Sequence, residues 1–481
     1  MPLTMINKVS AIATLSLLIT PMSFSQTLDE ALHDIIQNNT LTGNPIKQQQ
    51  LSDIDSTKAQ LGMKLFYSRA LSGNLDTACA SCHHPMLGGG DNLSLPVGVK
   101  SEKPSVLGLG RQRKEGLPPD IARNAPTTFN IALWQKVMFH DGRIESIGPS
   151  QFTTPDFHYP QRDPKAGENL VQAQARFPVT SDREMLGESF AFRRSTQARR
   201  ASIAARLAGK SPTLSALPKT VTHYWLTAFR TTFSAPEATA SQLITEQSIS
   251  ELLAEYQRSQ LFIDTPWRQY INGNTLAISE EAKVGALLFY QGREKGGYAC
   301  ANCHSGDFFS NEKFYNILIP PIGPGKAGKN GVAVQGQDFG RRLVTRLPQD
   351  NYKFRVPSLL NTEVTGPWGH NGAYTSLPGI VKHMIAPKQM LQQYNPNQLK
   401  QKNIPVDNLK TRVDLLMKSN PNSFVKDKDY RTEDVEALVT FLKTLTDPCV
   451  KSRACLSPWI PNNESLTPLQ LQGTDLDGNK H

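Results

Sequence analysis

The stretch Thr77-Ala78-Cys79-Ala80-Ser81-Cys82-His83-His84-Pro85 decides the reading, and Cys300-Ala301-Asn302-Cys303-His304 repeats its core far downstream. Three chemistries use paired cysteines of this kind. Zinc draws its ligands from closely spaced pairs, whereas these pairs lie far apart and each is followed at once by histidine. A redox dithiol has no use for that histidine at both copies. Covalent haem c uses every residue: the two thiols form thioethers with the porphyrin vinyls, and the next imidazole ligates the iron. The sequence therefore predicts two haem c groups, one on Cys79 and Cys82, the other on Cys300 and Cys303, with His83 and His304 as axial iron ligands.

The surroundings repeat as well. GMKLFY (62–67) precedes the first motif and GALLFY (285–290) the second; RNAPTTFN (123–130) parallels RVPSLLN (355–361), and FHDGR (139–143) parallels GHNGAY (369–374). The period is far longer than a solenoid unit, so this is a duplicated module rather than a repeat array.

At 481 residues, 38% apolar and 20% charged, the chain has the composition of two or three globular domains. Residues 1–25 read as a cleaved secretory signal, with Lys8 before the apolar run AIATLSLLIT and a small-x-small site at Ser23-Phe24-Ser25. That run is short for a membrane span, and no later segment approaches one. The expectation is a periplasmic protein with no span in the mature chain. Export also argues against nucleic acid as a partner, despite a net charge of +10. The basic run around Arg193, Arg194, Arg199, Arg200 and Arg206 reads as a solvated helix face, with a docking face for an acidic partner as the alternative. In an oxidising compartment Cys449 and Cys455 read as a disulfide, two neighbouring free thiols being the other reading.

Apolar spacing predicts helices with long loops between them. Ile249, Leu252, Leu253 and Tyr256 share one helix face, and Val435, Leu438, Val439, Leu442 and Leu445 another. Ser279-Glu280-Glu281 reads as a helix start that leads to the second haem motif. Gly/Pro-rich segments after each motif read as loops. The fold class is all-α. The expected division is a signal at 1–25, an N-terminal domain at 26–274 with an insertion at about 150–180, a C-terminal domain at 275–448, and a loosely ordered tail at 449–481.

LFYSRALSGNLDTACASCHHP, RNAPTTFN, FHDGR, FPVTSDREM, ISEEAKVGALLFY, CANCH, VPSLLNTEVTGPWGHNGAYTSLPGIVKHM and EALVTFLKTLTD, in this order, resemble the bacterial di-haem cytochrome c peroxidase family, including its MauG-like branch. The resemblance runs from about Leu61 to Asp447. It implies two cytochrome c-like domains, an N-terminal haem that reacts with hydrogen peroxide and a C-terminal haem that transfers electrons. Met384 falls where the peroxidases place the second axial ligand of the C-terminal haem and where MauG-like proteins carry tyrosine; its bland reading is core packing. A His/Met pair raises the iron potential. Glu184 matches the acid–base glutamate, a surface salt-bridge residue being the ordinary reading. Asn124, Thr365 and Pro367 match positions that bind calcium between the domains.

Two departures stand out against that pattern. The loop 85–123 has no histidine, where many family peroxidases carry one that closes the first iron, so the first haem is expected to be open to peroxide without prior reduction. His140 stands where the family has a tryptophan between the haems, leaving Trp134 or Trp368 as substitute relays. The leading expectation is reduction of peroxide to water with electrons from a small cytochrome c or cupredoxin. The first alternative is peroxide-dependent oxidation of Tyr or Trp side chains on a partner protein; the second is a non-enzymatic electron-transfer cytochrome.

Overall fold

The computed structural model describes residues 24–47, 49, 51–190, 195–211, 216–326, 336–419, 426–462 and 467–481. The expected signal segment falls almost wholly outside them, as do Arg193 and Arg194. The chain is mostly helical, with a three-stranded antiparallel sheet of β1 (Val137–Met138), β2 (Ile144–Gly148) and β3 (Gln151–Thr153) and a two-stranded pair of β4 (Phe314–Tyr315) and β5 (Phe354–Arg355). No described helix is long and apolar enough to cross a membrane.

Two helix crossings carry the duplication. The Thr57–Tyr67 helix starts at Ser56, whose side chain accepts from the Ala59 amide, and crosses the Glu246–Arg258 helix. The Glu280–Tyr290 helix starts at Ser279, which caps the Ala282 amide, and crosses the Thr432–Lys443 helix. Capping of this kind is worth about 1 kcal/mol. Each crossing is centred on the glycine of its repeat: a Cβ on Gly62 would stand 1.9 Å from the Leu252 carbonyl oxygen, and one on Gly285 1.9 Å from that of Ala437. Only a missing side chain lets the backbones approach so closely. Leu252, Leu253, Tyr256, Val435, Leu438 and Phe441 are buried at these crossings.

The two cores follow the crossings rather than a single cut in the sequence. The first gathers residues 54–80, 175–256 and Leu471; the second takes Leu32 and Leu41 together with Ile263, Trp267 and Tyr270 before it reaches residues 278–445. A division at residue 274 therefore cuts through the second core. The insertion also has a core of its own, with Phe152, Leu170, Val171 and Phe177 packed against Ala254.

Among its described residues, the basic run is not a solvated face. Arg200 is buried and pairs with Asp156 and Glu246, each at 2.6 Å, while Arg206 is buried and donates to the carbonyls of Ala70, Ser72 and Gly73. Spacing registered the charges but not the carboxylates and carbonyls that the insertion and the first motif bring to them. The tail is not loose either. Leu471 donates its amide to the Tyr67 carbonyl at 2.8 Å, Leu107 donates to Thr474 at 2.9 Å, and Leu471 is buried in the first core. Cys449 and Cys455 are disulfide-bonded ahead of it.

Candidate active site

In both haem motifs a single 3₁₀ turn brings the cysteines together. The amides of Cys82 and His83 donate to the Cys79 carbonyl at 3.1 and 3.0 Å, and those of Cys303 and His304 to the Cys300 carbonyl at 3.2 and 3.0 Å. The four cysteines are unpaired. Burial pushes the Cys79 and Cys300 thiols up to about 12 and raises Cys82 and Cys303 as well. A redox dithiol requires the opposite shift.

The two histidines are held alike. His83 places Nδ1 3.3 Å from the Gly89 carbonyl, with the backbone of Pro126 also in reach; His304 places Nδ1 3.1 Å from the Phe309 carbonyl, with Pro357 in reach. Pro126 and Pro357 are the repeat-related prolines of RNAP and RVP. Occupying Nδ1 in this way fixes the ring and leaves Nε2 for a metal. Burial lowers the His83 pKa and takes His304 down to about 4, so both imidazoles are in the neutral, ligating form at pH 7.

The second site is a cavity of about 770 Å³, within the range of about 300–1,000 Å³ that takes cofactor-sized ligands. Cys300, Cys303 and His304 line one wall, and Met384, from the Leu377–Ile385 helix, lines another. The space is of a size to take a haem attached to the CANCH motif, and Met384 puts a thioether sulfur on its lining. Neighbouring His383 is turned elsewhere, with Nδ1 2.8 Å from the Tyr374 hydroxyl and Nε2 2.7 Å from the Ile317 carbonyl.

The same cavity is lined by Trp134, Trp368 and His140, and by Asn124, Thr365 and Pro367. Trp368 donates its indole N–H to the Thr362 carbonyl at 3.1 Å, and Trp134 lies beneath the Arg355 guanidinium at 3.4 Å. His140 Nε2 is 3.0 Å from the Asn124 carbonyl, and burial takes its pKa down to about 4. The Asn124 amide nitrogen donates to the Leu93 carbonyl at 2.7 Å. No group of three or more His, Cys, Asp or Glu suited to a metal ion occurs among the described residues, so calcium here would depend on carbonyl and amide oxygens.

Glu184 sits on a π-turn (Asp182–Leu186) capped by Ser181, half-buried beside the first motif; the next residue, Met185, has its sulfur 3.9 Å from Cys79 Sγ. Desolvation raises its pKa, and the charges of Arg143 and Lys326 partly offset the rise. A carboxyl that holds its proton more readily than usual can both deliver and accept one near neutrality. His84 faces away from this chemistry: it accepts from the Met86 amide and packs against the rings of Tyr67 and His481.

The halves meet through repeat-related bonds. The Asn124 amide donates to the His370 carbonyl at 2.9 Å, and the Arg355 amide to the His140 carbonyl at 2.8 Å. One short segment, Asn124 to Pro126, therefore lines the second cavity and also reaches His83 of the first site. Arg143, Lys326, Arg355 and His370 carry no assignment in the sequence reading. Arg143, Arg355 and His370 lie in quoted repeats, but their neighbours come from distant parts of the chain. Lys326 lies in a glycine-rich loop with no spacing signal.

Comparison with known proteins agrees with this arrangement. Residues 56–276 match the family model described as di-haem cytochrome c peroxidase. The methylamine utilization protein MauG of Methylophilus methylotrophus is 25% identical over 328 residues, covering 68% of this chain and 71% of that protein. The cytochrome c551 peroxidase of Pseudomonas aeruginosa is 25% identical over 348 residues, covering 72% and 75%. Among solved structures, a MauG-like protein associated with microbial copper homeostasis superposes with a TM-score of 0.53 at 19% identity, covering 86% of this chain and 97% of that one. The diheme peroxidase BthA from Burkholderia thailandensis gives 0.50 at 18% identity, with 82% and 86% covered. These two share the fold. The paired haem motifs, the duplicated crossings and the matched sequences lead to one conclusion: the chain is similar to the di-haem cytochrome c peroxidases and MauG proteins, which are oxidoreductases, and its residues 56–276 match that family's model.

Proposed function

We propose that the protein is exported to the periplasm and reduces hydrogen peroxide to water at the N-terminal site, drawing two electrons through the C-terminal site from a small redox protein such as a cytochrome c or cupredoxin. The observation that carries this reading is Met384 sharing the second cavity with His304, because a His/Met pair suits a centre that accepts electrons from a donor. When bound, the haems supply an open iron at the first site and a one-electron relay at the second. The protein's part is proton delivery, ligation and access. Glu184 takes a proton from the near peroxide oxygen and returns it to the far one as the O–O bond breaks, and its half-buried position raises its proton affinity for that task. His83 and His304 hold the irons. Asn124, Thr365 and Pro367 hold calcium as a strut between the halves, and Trp134, His140 or Trp368 stand along the route between the sites.

A second reading, peroxide-dependent oxidation of Tyr or Trp side chains on a partner protein, is favoured by the loop 85–123, which has no histidine to close the first iron. Steady-state peroxide consumption separates the two. The donor-fed reading expects consumption to require a reduced small cytochrome or cupredoxin, and to slow in Met384→Ala as the second centre loses its sulfur ligand. Consumption that continues without a donor while tyrosine or tryptophan of an added protein is modified would replace it with the second reading.

A further inference from the structure

We propose that Arg355 and His370 are the anchors for the propionate carboxylates of the second haem, and that they turn its carboxylate edge toward the Asn124–Pro126 segment. The inference rests on the di-haem reading and concerns residues to which that reading assigns no role.

Both side chains line the second cavity, and both keep a buried nitrogen without a partner: Nε of Arg355 and Nδ1 of His370. A buried polar group left unpaired costs about 1–3 kcal/mol, and more when it is charged, so two such nitrogens in one cavity wall call for a partner inside it, a carboxylate taking the Nδ1–H tautomer of His370. Arg355 uses one guanidinium nitrogen on the Val137 carbonyl at 2.8 Å, stacks 3.4 Å over Trp134, and forms no ion pair among the described residues. The charges of Glu312 and Asp141 act on it only from beyond ion-pair distance, so a buried guanidinium here has room for a directly bonded anion. Burial takes its pKa down to about 10, which leaves it charged at pH 7. His370 stacks on Phe354, ring centroids 3.5 Å apart and planes 8° from parallel, which holds the plane of its ring. Phe354 and Arg355 are the two residues of β5, so the strand carries one anchor and stacks against the other. Haem offers two carboxylates, and a planar guanidinium fork matches carboxylate geometry.

The anchoring has a directional consequence. Arg355 donates its amide to the His140 carbonyl, and the His370 carbonyl accepts from the Asn124 amide. Carboxylates held by these two side chains therefore lie beside the segment whose Pro126 reaches His83. The edge of the second haem is brought to a short covalent stretch leading to the first site, where this chain has His140 rather than tryptophan.

The test uses the full-length, haem-loaded protein and the variants Arg355→Met and His370→Phe. Haem per chain is measured first, then the reduction potential of each haem, then the propionate bending band in the resonance Raman spectrum. The expected result is two haems per chain, a shifted propionate band, and a fall in the second haem's potential equivalent to about a tenfold change in its ferrous-to-ferric ratio, about 59 mV, with the first haem unmoved. Arg355→Lys and His370→Gln each keep a donor; they should hold the haem and shift less, and they decide the matter if the larger changes prevent folding. Unchanged potential and unchanged propionate band in variants that carry both haems would overturn the anchoring alone. A wild-type protein with fewer than two haems would instead overturn the di-haem reading beneath it.

Discussion

Glu184 owes its proposed role to its surroundings more than to its identity. Half-burial raises its pKa, while Arg143 and Lys326 keep the rise in check. Glu184→Gln keeps the shape and removes the proton shuttle, so peroxide turnover should fall by about 10²- to 10⁴-fold with haem content unchanged. A loss of less than threefold would assign the proton transfer elsewhere. Asp91 gives a stability counterpart. It is fully buried, one carboxylate oxygen has no partner, and desolvation raises its pKa from 3.8 to about 7. Because the folded form holds this proton more tightly than the unfolded chain, the group lowers stability progressively as pH rises from about 4 to 7. Asp91→Asn should therefore stabilise the protein at pH 8 by about 1–3 kcal/mol and leave it nearly unchanged at pH 4, read from denaturation midpoints. At this scale the sequence was most informative where chemistry demands adjacent residues. Cys79, Cys82 and His83 announce themselves by spacing, as do their counterparts. Arg355 and His370 do not, because their significance lies in partners they lack, and only a packed cavity reveals that.

Among the elements, the two helix crossings are the parts the sequence disclosed best. GMKLFY and GALLFY were recognisable as a repeat, but the reason for their glycines was not, since the opposing carbonyls of Leu252 and Ala437 lie far along the chain. Gly285→Ala must push the Glu280–Tyr290 and Thr432–Lys443 helices apart, and Gly62→Ala the first pair. Each should cost about 3 kcal/mol, toward the upper end for an overpacked core, because the atom met is main-chain oxygen rather than a mobile side chain. A midpoint unchanged by either substitution would mean that the crossings are looser than described. The asparagines that end RNAPTTFN and RVPSLLN show the same logic: Asn130 and Asn361 take left-handed backbone, and both side chains donate to the Phe262 carbonyl at 2.9 Å, tying the repeats at one point. The basic helix was misread because charge spacing looks the same whether the partner is water or a buried carboxylate such as Asp156.

The whole molecule is tied across the repeats at several places. Arg123 binds Asp338 through two nitrogens at 2.7 and 2.8 Å and Asp141 at 2.7 Å, and the Glu312 carboxylate accepts the amides of Gln135 and Lys136. The tail closes the first half by returning to it after the second is complete. Its order was invisible in the sequence because Leu469 and Leu471 lie among polar residues, with no periodic run to mark them. Deleting residues 467–481 uncovers that core and should lower the thermal midpoint and raise protease sensitivity near Tyr67, leaving the second haem's spectrum intact. The first site should meet peroxide without prior reduction, and rapid mixing of the fully oxidised, haem-loaded protein with one equivalent of hydrogen peroxide shows whether it does. Haem absorption should change at once, since the loop 85–123 offers no histidine to close the iron and His84 is engaged with Tyr67 and His481. A spectrum that stays still until one haem has been reduced would contradict it.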